Sequence, residues 1–368
     1  MFSHVSKWVP FGTSWVELRH NGGVFTFMRN ARSSYTRAVL ISVLTATLAG
    51  AQGYKQSGSI PIGGTGGWDY AAADGEHGRL YVSHAGEVVV IDLKTDKAIG
   101  KISGMSRIHG IAIANDLHTG FISDGGSDEV IPFDLETLER KPAIKAGTNP
   151  DGIVYDPASK RVFAFNGRSE NATAINAETG KVDGTIALGG KPEFPVSDGK
   201  GYVYDNIEDK NEIVQIDSKT LTVKAHWSIA PCESPSGLAF DGENRRLFAV
   251  CDGKKMAVVD ADSGKVVATP EIGDGPDAAA YDPGTKLAFS SNGSGTLTVV
   301  RQVDKDHYTT VENVPTARGA RTMAIDTVTH KIYLPTAEFG PAPAATAQNA
   351  HPRPAILTDS FKVIILSR

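Results

Sequence analysis

A short apolar run with strand character recurs seven times in this chain, at intervals of about forty residues. The copies are Arg79-Leu80-Tyr81-Val82-Ser83, Thr119-Gly120-Phe121-Ile122-Ser123, Arg161-Val162-Phe163-Ala164-Phe165 and Gly201-Tyr202-Val203-Tyr204-Asp205. Arg246-Leu247-Phe248-Ala249-Val250, Lys286-Leu287-Ala288-Phe289-Ser290 and Lys331-Ile332-Tyr333-Leu334-Pro335 complete the set. A second landmark follows, an alternating strand that ends in an acidic turn: Val88-Val89-Val90-Ile91-Asp92, Val130-Ile131-Pro132-Phe133-Asp134, Val214-Gln215-Ile216-Asp217 and Ala257-Val258-Val259-Asp260. Turn residues come next, as in Thr179-Gly180-Lys181 and Ser263-Gly264-Lys265. Each repeat thus holds four short strands and almost no helical signal, and four strands at this period make one propeller blade. The expected fold is all-β, a seven-bladed β-propeller of four-stranded antiparallel blades over residues 52–368.

The ends of the array predict how the ring closes. Phe361-Lys362-Val363-Ile364-Ile365-Leu366 fits the third strand of blade seven and leaves its fourth missing, while a spare strand, Tyr54 to Ile62, precedes blade one. That strand is expected to complete the last blade and remove the exposed edges of an open array. Blade seven also carries a Pro/Ala-rich insertion at 337–355. It is either a plain excursion or a lid that brings Glu338, Phe339 and His351 to the axis.

Read from Met28, the N-terminal region has a basic segment (Arg29, Arg32, Arg37), an uncharged stretch from Ala38 to Leu48, and Ala49-Gly50-Ala51 before Gln52. That order is a secretory signal with an A-x-A cleavage site. The uncharged stretch is too short to cross a hydrocarbon layer of ~30 Å as a helix. Residues 1–27 are read as an over-extended gene start and 28–51 as a signal peptide. The expectation is a periplasmic or secreted monomer with no membrane span after cleavage. A net charge of -5 and the lack of any Lys/Arg run give no indication of nucleic-acid binding. The two cysteines, Cys232 and Cys251, match no zinc or haem spacing. Both belong to blade five, and in an oxidising compartment a disulfide is expected, the alternative being a reactive thiol or copper ligand.

The repeat resembles the YVTN family of seven-bladed propellers, the group that includes YncE-like periplasmic proteins. Tyr81-Val82-Ser83 stands where the name-motif of that family lies, and Ile91-Asp92-Leu93-Lys94-Thr95 where its blade-ending turn lies. Blade six departs, with Arg301-Gln302 in place of an apolar residue and Asp or Asn. The resemblance implies the fold and leaves activity open, because similar propellers serve as binding proteins, lyases, lactonases and subunits of redox enzymes.

Propeller topology brings the entries to the seven first strands together near the axis. Aligned, they are Asp69, His109, Asp151, Glu193, Ser236, Asp277 and Arg321. A wet channel tolerates any polar residue there, but four acids converging to within ~8 to 10 Å would repel by roughly 2 kcal/mol per pair at an effective dielectric of ~20. Protonation, a cation, Arg321 or a ligand must offset that charge. The turns after the second strands on the same face predict a second ring: His84, Asp124, Asn166, Asp205, Cys251, Ser291 and Thr336, flanked by Asn206 and Asn292. Trp68 and the Lys191-Pro192-Glu193 segment add an apolar plate and an opposite charge. His84 and His109, with Asp69 or Asp124, would suit a divalent metal or general acid/base work.

Several signatures are absent: a G-x-S-x-G elbow, an H-E-x-x-H helix, a P-loop and a Cys-x-x-Cys-His site. Gly63-Gly64-Thr65-Gly66-Gly67 opens no helix and reads as a turn. Three functions stay open: an exported protein that binds a small polar ligand or a protein partner without catalysis, a metal-assisted lyase or lactone hydrolase, and a docking subunit of a periplasmic redox complex. The cofactor is not named by the sequence; a divalent metal is the one these residues suit.

Overall fold

The structure, a computed structural model, describes residues 13–20, 23–30, 53–344 and 352–368. The chain divides into two compact units, Met1–Ala51 and Gln52–Arg368. In the first, Thr13–His20 pairs antiparallel with Gly23–Asn30 in unbroken register, so regular structure runs across Met28. The uncharged stretch and cleavage motif expected of a signal lie outside the described residues. Among the described residues no helix is long and apolar enough to cross a membrane.

The second unit is a β-propeller of seven blades, each a sheet of four antiparallel strands. Its only helical turns among the described residues are two short 3-10 segments, Asn115–Leu117 and Glu208–Lys210. The first strands lie innermost and meet their neighbours in order around the ring: Trp68–Asp74, Ile108–Ala114, Pro150–Asp156, Pro192–Ser197, Glu233–Asp241, Pro276–Asp282 and Ala324–Asp326. The second strands carry the apolar repeat, and their side chains alternate between the two faces of each blade. Val82 and Leu80 pack with Phe361 and Ile365 of blade seven, whereas Tyr81 packs with Ile122 and Ile131 of blade two. Each inter-blade space thereby becomes one core cluster.

The acidic turn has a local cause. Asp92 Oδ1 accepts hydrogen bonds from the backbone N–H of Lys94 and Thr95 and from the Thr95 hydroxyl, closing the turn after the third strand. Asp134, Asn176, Asp217 and Asp260 accept from the equivalent backbone N–H groups. Blade six departs because Gln302 is used differently. It is buried and donates to Asp241 of blade five at 2.8 Å while accepting from Tyr281 at 2.7 Å.

The ring closes as expected. Lys55–Pro61 pairs antiparallel with Lys362–Ser367 and supplies the fourth strand of blade seven. Tyr54 anchors it: the ring is buried edge-on against Phe289 of blade six at 5.3 Å, and the hydroxyl donates to the His330 carbonyl at 3.0 Å.

Candidate functional site

In blades one to six the register of the first strand slips by a residue at its axial end, at Trp68/Ala71, Ile108/Ile111, Pro150/Ile153, Pro192/Pro195, Pro235/Leu238 and Pro276/Ala278. Each slip contains one residue of the first predicted ring. A bulge inserts a residue and re-aims its side chain, so six independent strands turn Asp69, His109, Asp151, Glu193, Ser236 and Asp277 toward the axis. Arg321 enters from the irregular segment before Ala324–Asp326.

The carbonyls of these bulges are held from the preceding blade. The Ser123 hydroxyl donates to the Asp151 carbonyl at 2.5 Å and accepts from Gly110 N–H at 2.8 Å. Asn206 Nδ2 donates to the Ser236 carbonyl at 2.8 Å, Ser291 to the Arg321 carbonyl, and Thr322 to the Asp69 carbonyl. Ser83 Oγ accepts from Tyr70 N–H at 2.8 Å.

The bulges surround a cavity of about 90 Å³ lined by Asp69, Asp151, Glu193, Ser236, Asp277 and Arg321, with Thr322 beside them. Its floor was not foreseen from sequence. Tyr70 of blade one and Phe194 of blade four reach across the axis and stack at 5.2 Å with an 18° interplanar angle, and the Tyr70 hydroxyl donates to the Glu193 carbonyl at 3.3 Å. The position following each ring residue shows how they fit: Tyr70 and Phe194 are large, while Gly110, Gly152 and Gly237 carry no side chain. A Cβ on Gly152 would come within 2.4 Å of the Glu193 carbonyl, so neighbouring inner strands approach this closely only because the residue is glycine. That size pattern was the available signal.

Charge in the cavity is managed in four ways. Arg321 Nη1 bonds Asp277 at 2.6 Å and Nη2 lies 3.7 Å from Asp69, and the Asp277 charge raises the guanidinium pKa. His109 Nδ1 bonds Asp69 and stands 3.6 Å from Asp151. Burial opposes protonation of His109, but the bond to Asp69 and the charges of Asp151 and Asp69 outweigh it, so its pKa is raised. Lys191 pairs with Glu193 at 2.5 Å and with Glu208. The fourth device is protonation. Burial pushes Asp151 up to about 6 and Glu193 up to about 8, with carboxylate repulsion adding to it, and burial also raises Asp277.

The second predicted ring does not meet the first. The last residues of the second strands are His84, Asp124, Asn166, Ile207, Asn292 and Thr336, with Cys251 next to last before Asp252. Strand alternation turns their side chains away from the cavity, and none lines it. His84 stacks face to face on Phe361 at 4.1 Å and is not paired with His109. Burial lowers its pKa. Asp124 accepts from Ser106 and Arg107 N–H, both at 2.9 Å. Asn166 donates to Asn171 and Thr173, and Asn292 to Thr296 and Thr298. Asp205 and Ser291 lie inside their strands rather than at turns. Ser291 is one of the bulge supports, and Asp205 is fully buried between blades three and four with neither oxygen hydrogen-bonded.

Trp68 faces an adjoining cleft instead of the acidic cavity. In the described part of the blade-seven insertion, Phe339 rests on Trp68 at 6.2 Å while Glu338 turns to Lys362 at 3.3 Å, and neither lines the axial cavity. His351 lies outside the described residues. Cys232 and Cys251 form a disulfide within blade five, so neither is a free thiol.

Asp69, His109 and Asp151 place one ligating atom each within 4.8 Å of one another, the one such metal-type cluster among the described residues. One imidazole nitrogen and two carboxylate oxygens are a donor set that zinc or iron accepts.

No protein-family model matches the chain, and no curated protein is similar to it in sequence. Solved structures are similar in shape. A hydrazine synthase chain from Kuenenia stuttgartiensis superimposes with a TM-score of 0.65 at 16% identity, covering 77% of this chain and 96% of that one. U3-55K superimposes with a TM-score of 0.69 at 8% identity, covering 83% and 97%. The likeness is one of fold. It leaves the axial residues to be read from their own geometry.

Proposed function

We propose that this is an exported binding propeller, of the YVTN or YncE-like kind, whose axial cavity holds a small polar ligand bearing positive charge, without catalysis. The observation that carries the reading is the convergence of Asp69, Asp151, Glu193 and Asp277 on one cavity whose floor is closed by Tyr70 and Phe194. An ammonium or similar group would replace the protons that Asp151 and Glu193 hold and would be desolvated against a fixed set of acceptors. Calorimetric titration with small ammonium compounds and their neutral isosteres tests this. The ammonium members should bind, Asp151→Asn and Asp277→Asn should weaken them roughly tenfold or more, and affinity should rise from pH 6 to 8 as the acids ionise. Equal binding of the neutral isosteres would reject the reading. N-terminal sequencing of protein recovered outside the cytoplasm should begin at Gln52.

A second reading, a metal-assisted lyase or lactone hydrolase, is favoured by the Asp69, His109 and Asp151 cluster. Three protein ligands leave positions open for water or substrate, and a bound metal would supply a Lewis acid or an activated water there. In that reading Glu193 is the group beside the cluster able to hold and release a proton near neutral pH. Elemental analysis of the protein beside Asp69→Ala and His109→Ala decides it: stoichiometric metal lost in both variants favours this reading over the first.

A further inference from the structure

Beside the acidic cavity, and sharing Arg321 with it, lies a cleft of about 410 Å³ whose character is the opposite. Arg318, Arg321 and Arg353 line it together with Trp68, Phe339 and Ile356, and among the described residues no acidic side chain does. Arg321 is committed to Asp277, but among the described residues neither Arg318 nor Arg353 has a carboxylate within ion-pair distance. Three guanidinium groups thus converge on one cleft of a protein whose net charge is -5. The apolar wall is built rather than incidental. Trp68 stacks on Phe361 at 5.4 Å, which fixes its plane from behind, and Phe339 stands 6.2 Å from it at 49°. Gly319, at φ +80, lets the loop bearing Arg318 pass under Phe339, where a Cβ would come within 2.8 Å of that ring.

We propose that this cleft binds a small organic anion with a flat apolar body, the chemical class of the aromatic carboxylates. Arg318 and Arg353 present planar forks that match a carboxylate, and Trp68 with Phe339 presents the surface for the ring. The volume falls within the range of small-molecule sites. This site shares Arg321 with the axial cavity, but Arg318 and Arg353, its remaining arginines, do not line that cavity.

Titration of the purified protein with phenylacetate, phenylacetamide and acetate separates the contributions. Phenylacetate should bind saturably, and both the uncharged amide and the ringless acid should bind roughly tenfold more weakly or worse. Arg318→Ala and Arg353→Ala should each weaken phenylacetate by roughly tenfold, and Asp151→Asn should leave it unchanged. Both arginines are exposed, so melting curves should coincide with that of the parent and loss of binding will not reflect loss of fold. Equal binding of phenylacetate and phenylacetamide, or arginine variants that bind like the parent, would overturn the proposal. So would the absence of saturable phenylacetate binding up to about 10 mM, or its loss in Asp151→Asn.

Discussion

Asp205 occupies a position that the other blades fill with Val82, Ile122, Ala164, Ala249, Ser290 and Leu334. It is fully buried, neither oxygen has a hydrogen-bond partner, and burial with the nearby Glu193 charge raises its pKa well above the carboxylate range. A buried polar group without partners costs about 1–3 kcal/mol. Asp205→Val, which keeps the shape, should therefore stabilise the protein by about that amount at pH 7, read as a rise in the denaturation midpoint. Because Asp205 keeps its proton in the folded state while the unfolded chain loses it, the gain should shrink as pH falls toward 4. Glu193 follows the same sign. Folded, it holds its proton to about pH 8; unfolded, it ionises near the ordinary value of 4.5. Between those values the folded state binds more protons, so stability falls as pH rises through the window. Melting between pH 5 and 8.5 should show this decline, and Glu193→Gln should reduce it; an identical pH profile would mean that Glu193 is not held neutral.

The element that makes the site is the bulged inner strand. Bulges alone would leave carbonyls facing an inter-blade gap, and the polar residue next to last in the second strand fills that need in blades two, four and six: Ser123, Asn206 and Ser291. These residues read from sequence as ordinary strand or turn positions. Their role exists only across a blade boundary, between groups 28 to 30 residues apart in the chain. Ser123→Ala removes the partner of both Gly110 N–H and the Asp151 carbonyl and should cost about 1–3 kcal/mol. It should also weaken cavity ligands by displacing Asp151. An unchanged denaturation midpoint would show that the hydroxyl does not hold the bulge.

The whole molecule depends on a strand taken from the other end of its chain. Deleting residues 53–62 leaves Lys362–Ser367 as an open edge and removes the buried Tyr54 and Ile60 from the packing of blade seven. Such a variant should aggregate and melt roughly 10 °C lower or more, measured by light scattering and thermal denaturation; an intact transition would reject the closure. Blade number, closure and the first ring were legible because a repeat aligns residues that occupy equivalent places, so Asp69, Asp151 and Asp277 share one column before any coordinates exist. The second ring differs because alternation over two residues decides a side chain's direction, and Asp205 and Ser291 stand two residues and one residue before the ends of their strands. What the sequence by itself determined is the count of blades, the strand that closes them and the acids that enter the axis, since each follows from local periodicity repeated seven times. Only the tertiary structure decided that Tyr70 meets Phe194, that His84 leaves His109, and that Arg318 and Arg353 share a cleft with Trp68. Those contacts join segments whose separation in sequence carries no information about distance until the ring is closed.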